Sequence, residues 1–151
     1  MTDKPQKTEK QKRIIITRAD EMVGRLDAAA NDNDGAKVVA VLSIEHPGVQ
    51  AGAKGSAPRL DETPHAQVPQ MILSFWDSEQ VVHQGPDLAQ VEAGLTFVME
   101  HLQKNEDGAV LIHCHAGKSR SVALALGALS LMHPEKKEAE LLDILLDIRP
   151  I

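Results

Sequence analysis

A nine-residue segment at 113–121, "HCHAGKSRS", combines residue types that are suited to holding a phosphate group. It contains the only cysteine of the chain, Cys114, and an arginine six positions later, Arg120. The apolar run "AVLI" comes before it and the helix-like run "VALALGALSLM" follows it. A loop between a strand and the N-terminus of a helix can direct several backbone N–H groups at one anion. The segment therefore predicts an anion-binding loop, and two kinds of phosphate site fit it.

The first kind is a nucleotide-binding Walker A loop, G-x-x-x-x-G-K-[ST], whose end is matched by "GKS" at 117–119. That loop needs a further glycine at position 112, where this chain has Ile112. The first glycine allows the loop to turn directly after its strand, and a branched side chain obstructs that turn. The sequence therefore disfavours nucleotide binding.

The second kind is a nucleophilic cysteine inside the anion-binding loop. The loop N–H groups and the helix N-terminus would stabilise a thiolate at Cys114, which makes it nucleophilic at neutral pH. Gly117 allows close backbone approach, and the planar guanidinium of Arg120 can hold two phosphate oxygens. Ser121 can donate a hydrogen bond to the sulfur when it becomes a leaving group. The expected phosphate-binding residues are His115, Ala116, Gly117, Lys118, Ser119 and Arg120.

The segment resembles the signature H-C-x-x-G-x-x-R-[ST] of cysteine-dependent protein tyrosine and dual-specificity phosphatases, with every position matched. Its place in the C-terminal half of the chain is also similar to that superfamily, whereas low-molecular-weight tyrosine phosphatases carry the cysteine near the N-terminus. The stretches "LSFWD" and "DIRP" resemble small bacterial dual-specificity-like tyrosine phosphatases. The likeness runs from about Ile14 to Ile151 and is loose outside the signature.

The resemblance implies a phosphate monoester hydrolase that works through a cysteinyl-phosphate intermediate and needs no metal or cofactor. It also implies a general acid on a loop some thirty to forty residues before the cysteine, and Asp77 lies 37 residues before Cys114. Glu79 and Asp87 are rivals for that role, although Asp87 also fits a helix cap. We expect His113 to orient the cysteine or its loop.

Other functions remain open at this point. His113 and His115 flank the cysteine, but neighbouring strand residues point to opposite faces, and no Cys or His pair elsewhere completes a zinc site. The stretch "AGK" also occurs in tensin-type phosphoinositide phosphatases, so Lys118 and His115 leave lipid or small phosphate esters open beside phosphorylated proteins. Without the acid, the loop would form a phosphate-recognition module, and a rhodanese-like sulfur transferase also uses a cysteine in such a loop.

The composition limits the class of protein. The chain has 151 residues, 42% of them hydrophobic, which suits one domain with an aliphatic core. Its net charge of −6 and its scattered basic residues argue against nucleic acid as a partner. A single cysteine fits a reducing compartment, and no apolar run reaches membrane-spanning length, so we expect a cytoplasmic protein. The oligomeric state is not predicted.

Hydrophobic patterning predicts an α/β domain in which helices flank a central, mostly parallel sheet, and the resemblance implies that this sheet is phosphatase-like. We expect a disordered tail over 1–12 and the domain over 13–151; the chain ends at "DIRPI", where similar proteins continue into another helix, so a shortened C-terminus stays open. The predicted order is strand, helix, strand, strand, helix, strand, helix, helix. The individual predictions are a central strand at 36–45, a long loop at 47–69, a helix capped by Asp87 and Gln90 with Leu88 facing inward, a helix from about 119 to 132, and a last helix that begins at Pro134.

Two further predictions concern rings. Trp76 could stack on a phosphorylated ring, but a partly buried core position is the commoner role of a tryptophan and is the one we expect. The histidines outside the segment are expected to be solvated; they are His46, His65, His83, His101 and His133.

Overall fold

A computed structural model describes residues 13–31, 37–76, 85–116 and 119–148. The order of its strands and α-helices is the predicted one, with a short 3₁₀ helix added in the long loop. The elements are β1 (Ile14–Arg18), α1 (Ala19–Asn31), β2 (Lys37–Glu45), the 3₁₀ helix (Leu60–Glu62), β3 (Gln70–Ser74), α2 (Leu88–Lys104), β4 (Gly108–Cys114), α3 (Arg120–Met132) and α4 (Glu138–Ile148). The tail predicted over 1–12 lies outside the described residues.

The four strands form one parallel sheet in the spatial order β1, β4, β2, β3. The mostly parallel sheet predicted from the apolar runs is confirmed, as is the inner position of β2. Every residue of β4 is buried, as is typical of a parallel strand covered on both faces. Parallel strands end at the same edge of a sheet, so Arg18, Glu45, Ser74 and Cys114 share one edge. Function is commonly found at this edge in α/β folds.

Side chains of the sheet alternate between two apolar cores. On one face, Val110, Ile112 and Cys114 pack in a cluster with residues of α2, α3 and α4. On the other face, Ala109 and Leu111 pack with residues of α1 and with Leu60 of the 3₁₀ helix. The odd and even positions of β4 therefore face different layers, so the side chains of Cys114 and His113 lie on opposite faces of the sheet.

Helix α2 begins with the predicted cap. The Asp87 carboxylate accepts a hydrogen bond from the Gln90 backbone N–H at 2.8 Å, and the Gln90 side chain accepts one from the Asp87 N–H at 3.2 Å. This reciprocal pair is a capping box. The inward position predicted for Leu88 is wrong, since 73% of its surface is exposed at the first position of the helix.

The last helix begins four residues later than predicted. Pro134 lies in a turn that follows α3, and α4 starts at Glu138 after a chain reversal in which Lys136 N–H donates to His133 C=O. Pro134 fixes the turn instead of the first helical turn. No helix in the described parts of the chain is long and apolar enough to cross a membrane.

Candidate active site

Cys114 is the last residue of β4 and is 2% exposed. Its side chain points toward the α2, α3 and α4 layer, and its Sγ lies 3.2 Å from the Ser121 Oγ. Ser121 is in the first turn of α3 and is fully buried. The structure thus brings together the sulfur and the hydroxyl that the sequence proposed as partners.

Arg120 is the first residue of α3, and its backbone lies at the positive end of that helix. Its Nη1 donates a hydrogen bond to the backbone carbonyl of Phe75 at 2.9 Å. Phe75 follows the end of β3 directly and lies two positions before Asp77. Arg120 therefore links the start of α3 to the segment in which the sequence places the acid.

His113 is fully buried on the opposite face of β4 from Cys114. Its Nε2 lies 2.7 Å from the hydroxyl of Ser43, the residue that pairs with it on β2. Burial lowers the pKa of the His113 imidazole to about 4, against smaller opposing effects of the Cys114 backbone and the charge of Glu45. His113 is therefore neutral at pH 7.

The remaining predicted site residues fall partly within the described chain. His115 and Ala116 continue from β4, and the His115 carbonyl accepts a hydrogen bond from the N–H of Ala19 at 3.3 Å. Ser119 is the N-cap of α3 and its carbonyl accepts from Ala123 N–H at 2.8 Å. Gly117, Lys118, Asp77 and Glu79 lie outside the described residues, as does His83.

We call the connection between β4 and α3, residues 115–119, the cysteine loop. Three rings lie together at its start; we call them the ring cluster, and they are His46, Trp76 and His115. The centroid of the His46 ring is 4.4 Å from that of Trp76 and 5.3 Å from that of His115. Trp76 is 40% exposed, so its predicted core position is wrong: it lies past the end of β3, where it packs on His46 at the surface. Burial, followed by the charge of Arg120, lowers the pKa of His46.

Two of the histidines that were predicted to be solvated have well-defined partners. His46 belongs to the ring cluster and packs so closely against Gly55 that a Cβ at position 55 would overlap its imidazole. Gly55 also has a φ of +93°, a conformation that glycine adopts without strain. The His65 Nε2 lies 2.6 Å from the Asp27 carboxylate, and 14% of the His65 side chain is exposed.

An ion pair attaches the long loop to the end of β2. Glu45, which is buried, accepts hydrogen bonds from Arg59 at 2.7 and 3.3 Å and from the Ala57 N–H at 3.0 Å. Burial raises the pKa of Glu45, but the hydrogen bonds from Arg59 and Ala57 and the charge of Arg59 outweigh it and leave the pKa below its usual value. The predicted long loop over 47–69 is thus confirmed as a loop and is anchored.

A cleft of about 800 Å³ lies between this loop and the cysteine loop. Residues 51–59 form one side, and His115 and Ala116 form part of the other. This volume lies within the range of 300 to about 1,000 Å³ that is common for ligand sites. Its walls carry both signs of charge, including Lys54 and Glu62.

Solved structures resemble this chain over nearly its whole length, although no protein-family profile and no curated protein matches the sequence. Human DUSP28 has a TM-score of 0.60 at 21% identity, over 91% of this chain and 79% of its own. PTPMT1 has a TM-score of 0.61 at 20% identity, over 95% of this chain and 82% of its own. Tk-PTP in its active form has a TM-score of 0.58 at 20% identity, over 93% of this chain and 82% of its own. The chain has the fold of the dual-specificity phosphatases.

In this dual-specificity phosphatase fold, the sequence motif and the sheet edge coincide. Cys114, Ser121 and Arg120 were predicted from their spacing, and the structure brings them to one strand-to-helix junction. Four further side chains support the site from β2, β3 and the long loop and were not predicted from the sequence: Ser43, Glu45, Arg59 and Gln70. The signal for two of them was present, since Ser43 and Glu45 are polar residues within an otherwise apolar strand. Among the described residues, no group of three His, Cys, Asp or Glu side chains could hold a metal ion.

Proposed function

We propose that the protein is a phosphate monoester hydrolase that works through a cysteinyl-phosphate intermediate, most closely a protein tyrosine or dual-specificity phosphatase. The observation that carries the proposal is the strand-to-helix junction, where Cys114 Sγ lies 3.2 Å from Ser121 Oγ and Arg120 begins the next helix. A phosphate at this junction would meet a nucleophile, a planar cation and a helix N-terminus together.

The proposed reaction has two steps. In the first, the Cys114 thiolate attacks phosphorus, the P–O bond to the leaving alcohol breaks, and an acid protonates that oxygen. In the second, water attacks the phosphorus of the cysteinyl-phosphate and gives its proton to the carboxylate left by the acid, the P–S bond breaks to return the Cys114 thiolate, and inorganic phosphate leaves. Arg120 stabilises the charge on the phosphoryl oxygens in both steps, and Ser121 donates a hydrogen bond to the departing sulfur.

Asp77 is the acid in this proposal. It follows Phe75 and Trp76 in the chain, and the hydrogen bond from Arg120 to the Phe75 carbonyl supports a position of the acid close to the proposed phosphate site. Asp87 is a weaker candidate because its carboxylate already accepts the hydrogen bond that caps α2. The contribution expected of a positioned general acid is about 10² to 10⁴ in rate.

The ring cluster supports an aryl phosphate, such as a phosphotyrosine side chain, as the substrate. His46, Trp76 and His115 flank the cysteine loop, and an aromatic leaving group can stack against such rings. The adjoining cleft would take the polypeptide around the phosphorylated residue. A cytoplasmic location belongs to the same proposal, since a free catalytic thiol needs a reducing compartment.

The test is phosphate release from an aryl phosphate, measured with and without a chelator, for the parent, Cys114→Ser and Asp77→Asn. We expect chelator-resistant turnover that Cys114→Ser abolishes while phosphate still binds, and a large loss in Asp77→Asn. Asp87→Asn is the matched control, because asparagine is an equally good N-cap and should leave turnover unchanged. Equal activity in the parent and Cys114→Ser would sink the mechanism, and a folded parent that binds vanadate without turnover would indicate a recognition module.

A further inference from the structure

A chain of polar side chains runs behind the cysteine, from β4 through β2 to β3 and the long loop. His113 Nε2 lies 2.7 Å from Ser43 Oγ, and Ser43 Oγ lies 2.9 Å from the side-chain nitrogen of Gln70. The Gln70 amide also contacts the backbone of Pro58 and Leu60. None of these side chains takes part in the proposed bond-breaking steps.

The backbone groups that contact Gln70 fix the donor and the acceptor of each hydrogen bond between these side chains. The N–H of Leu60 can only donate, so the Gln70 atom at 3.0 Å from it is the amide oxygen. The carbonyl of Pro58 can only accept, so the Gln70 atom at 2.8 Å from it is the amide nitrogen. That nitrogen has two hydrogens, one for Pro58 and one for Ser43.

Ser43 Oγ therefore accepts a hydrogen bond from Gln70 and has one hydrogen of its own to donate. Ser43 is fully buried, so this hydrogen is not donated to water. Among the described residues, the remaining partner of this hydroxyl is His113 Nε2, which must present a lone pair to accept the hydrogen bond. The buried imidazole is neutral at pH 7, so its proton resides on Nδ1.

We propose that Ser43 and Gln70 are positioning residues that hold His113 as the neutral, Nδ1-protonated tautomer and couple the long loop to the cysteine strand. Nδ1 has no partner at hydrogen-bond geometry among the described residues, but the Cys114 backbone is close enough to raise the pKa of the ring. The fixed N–H thus lies on the side of the ring nearest the nucleophile's backbone. This tautomer is a property of the resting protein and does not depend on the proposed phosphatase activity.

The test is nitrogen NMR of protein labelled with ¹⁵N-histidine at pH 7, with the His113 resonances assigned by their loss in His113→Gln. We expect a protonated shift at Nδ1 and an unprotonated shift at Nε2. The pattern should survive in Ser43→Thr, which keeps the hydroxyl, and should change to a mixture of tautomers in Ser43→Ala. An imidazolium or an Nε2-protonated ring in the parent would overturn the proposal, as would an unchanged pattern in Ser43→Ala.

A second variant tests the part played by Gln70. A carboxylate in Gln70→Glu would accept the Ser43 hydrogen and leave His113 Nε2 to donate, so we expect the proton to move to Nε2. The spectra are recorded from pH 6 to 9 to include the ionised form of the new side chain. If His113 keeps the parent pattern throughout this range, Gln70 does not determine which atom donates in the hydrogen bond between Ser43 and His113. Because the readout is the tautomer and not turnover, a general loss of stability would not imitate the expected shift.

Discussion

Two side chains in the first turn of α3, Ser121 and Arg120, have different roles in the proposed reaction. Ser121 is fully buried and its hydroxyl lies 3.2 Å from the sulfur of Cys114, where either atom can donate. Such a hydroxyl favours a negatively charged sulfur over a neutral one, and this matters most when the P–S bond breaks. In the proposed reaction Arg120 instead binds the phosphate oxygens, so the two residues are expected to affect different kinetic steps.

Ser121→Ala should slow breakdown of the cysteinyl-phosphate more than its formation. One lost hydrogen bond to a charged group corresponds to about 1.5 to 3 kcal/mol, or roughly 10- to 100-fold in rate. Rapid-mixing kinetics with an aryl phosphate should show a burst of the alcohol followed by slow turnover. Ser130→Ala, at an exposed position of the same helix, is the control. A variant without a burst and with parental turnover would remove Ser121 from the reaction.

Arg120→Lys should weaken both turnover and phosphate binding. Lysine lacks the planar fork that holds two phosphate oxygens, and it cannot reproduce the Arg120 geometry at the Phe75 carbonyl. We expect kcat/KM to fall by about 10² to 10³. The inhibition constant for inorganic phosphate should rise in parallel. Arg25→Lys, on α1 at the opposite face of the sheet, should leave both quantities within error of the parent.

At the scale of whole elements, the anchored loop decides the shape of the cleft. Glu45 at the end of β2 binds both Arg59 and the Ala57 N–H, and these contacts hold the cleft wall in place. Because the partners lie 12 to 14 residues away along the chain, the contact closes a long stretch of irregular backbone. The loop is therefore part of the folded structure and not a loose cover.

Glu45→Gln should destabilise the protein in a pH-dependent way. The pKa of Glu45 is lowered in the fold, so its ionised form contributes stability above the unfolded pKa, and this contribution is lost as the pH falls through the folded value. We expect a loss of about 1.5 to 3 kcal/mol near pH 7 by urea unfolding, shrinking below pH 4.5. Glu62→Gln, an exposed acid of the same loop, is the control. A loss that stays constant down to pH 3 would contradict the ion-pair account.

The order of strands and helices could be predicted because each element carries its own signal, an apolar run or a helical period within ten to twenty residues. The supporting side chains could not. Ser43 and His113 are 70 residues apart, and Ser43 and Gln70 are 27 apart, so their contacts arise only from the register of three parallel strands. The same holds for Trp76, whose surface position depends on His46 at the end of another strand. The motif at 113–121 was recognisable because its chemistry is packed into consecutive residues.

At the scale of the whole molecule, folding keeps His113 neutral, and the stability of the protein therefore depends on pH. The pKa of His113 is about 4 in the fold and ordinarily 6.5, so between these values the unfolded chain binds a proton that the folded chain does not. The free energy of unfolding therefore decreases progressively as the pH falls from 6.5 toward 4, and His113 accounts for a loss of about 2 kcal/mol between pH 7 and pH 5. His46, whose pKa is also lowered by burial, adds in the same direction.

Urea unfolding of the parent, His113→Gln and His133→Gln at pH 7 and pH 5 measures this link. His113→Gln should be less stable at both values, because it disturbs the buried contact with Ser43, and should lose most of the pH dependence. His133→Gln, on the turn after α3, should keep the parental difference. If the parent and His113→Gln lose equal stability on acidification, the buried imidazole is not the group that titrates. The pH dependence of the stability would then come from another group, and His46 would be the next residue to replace.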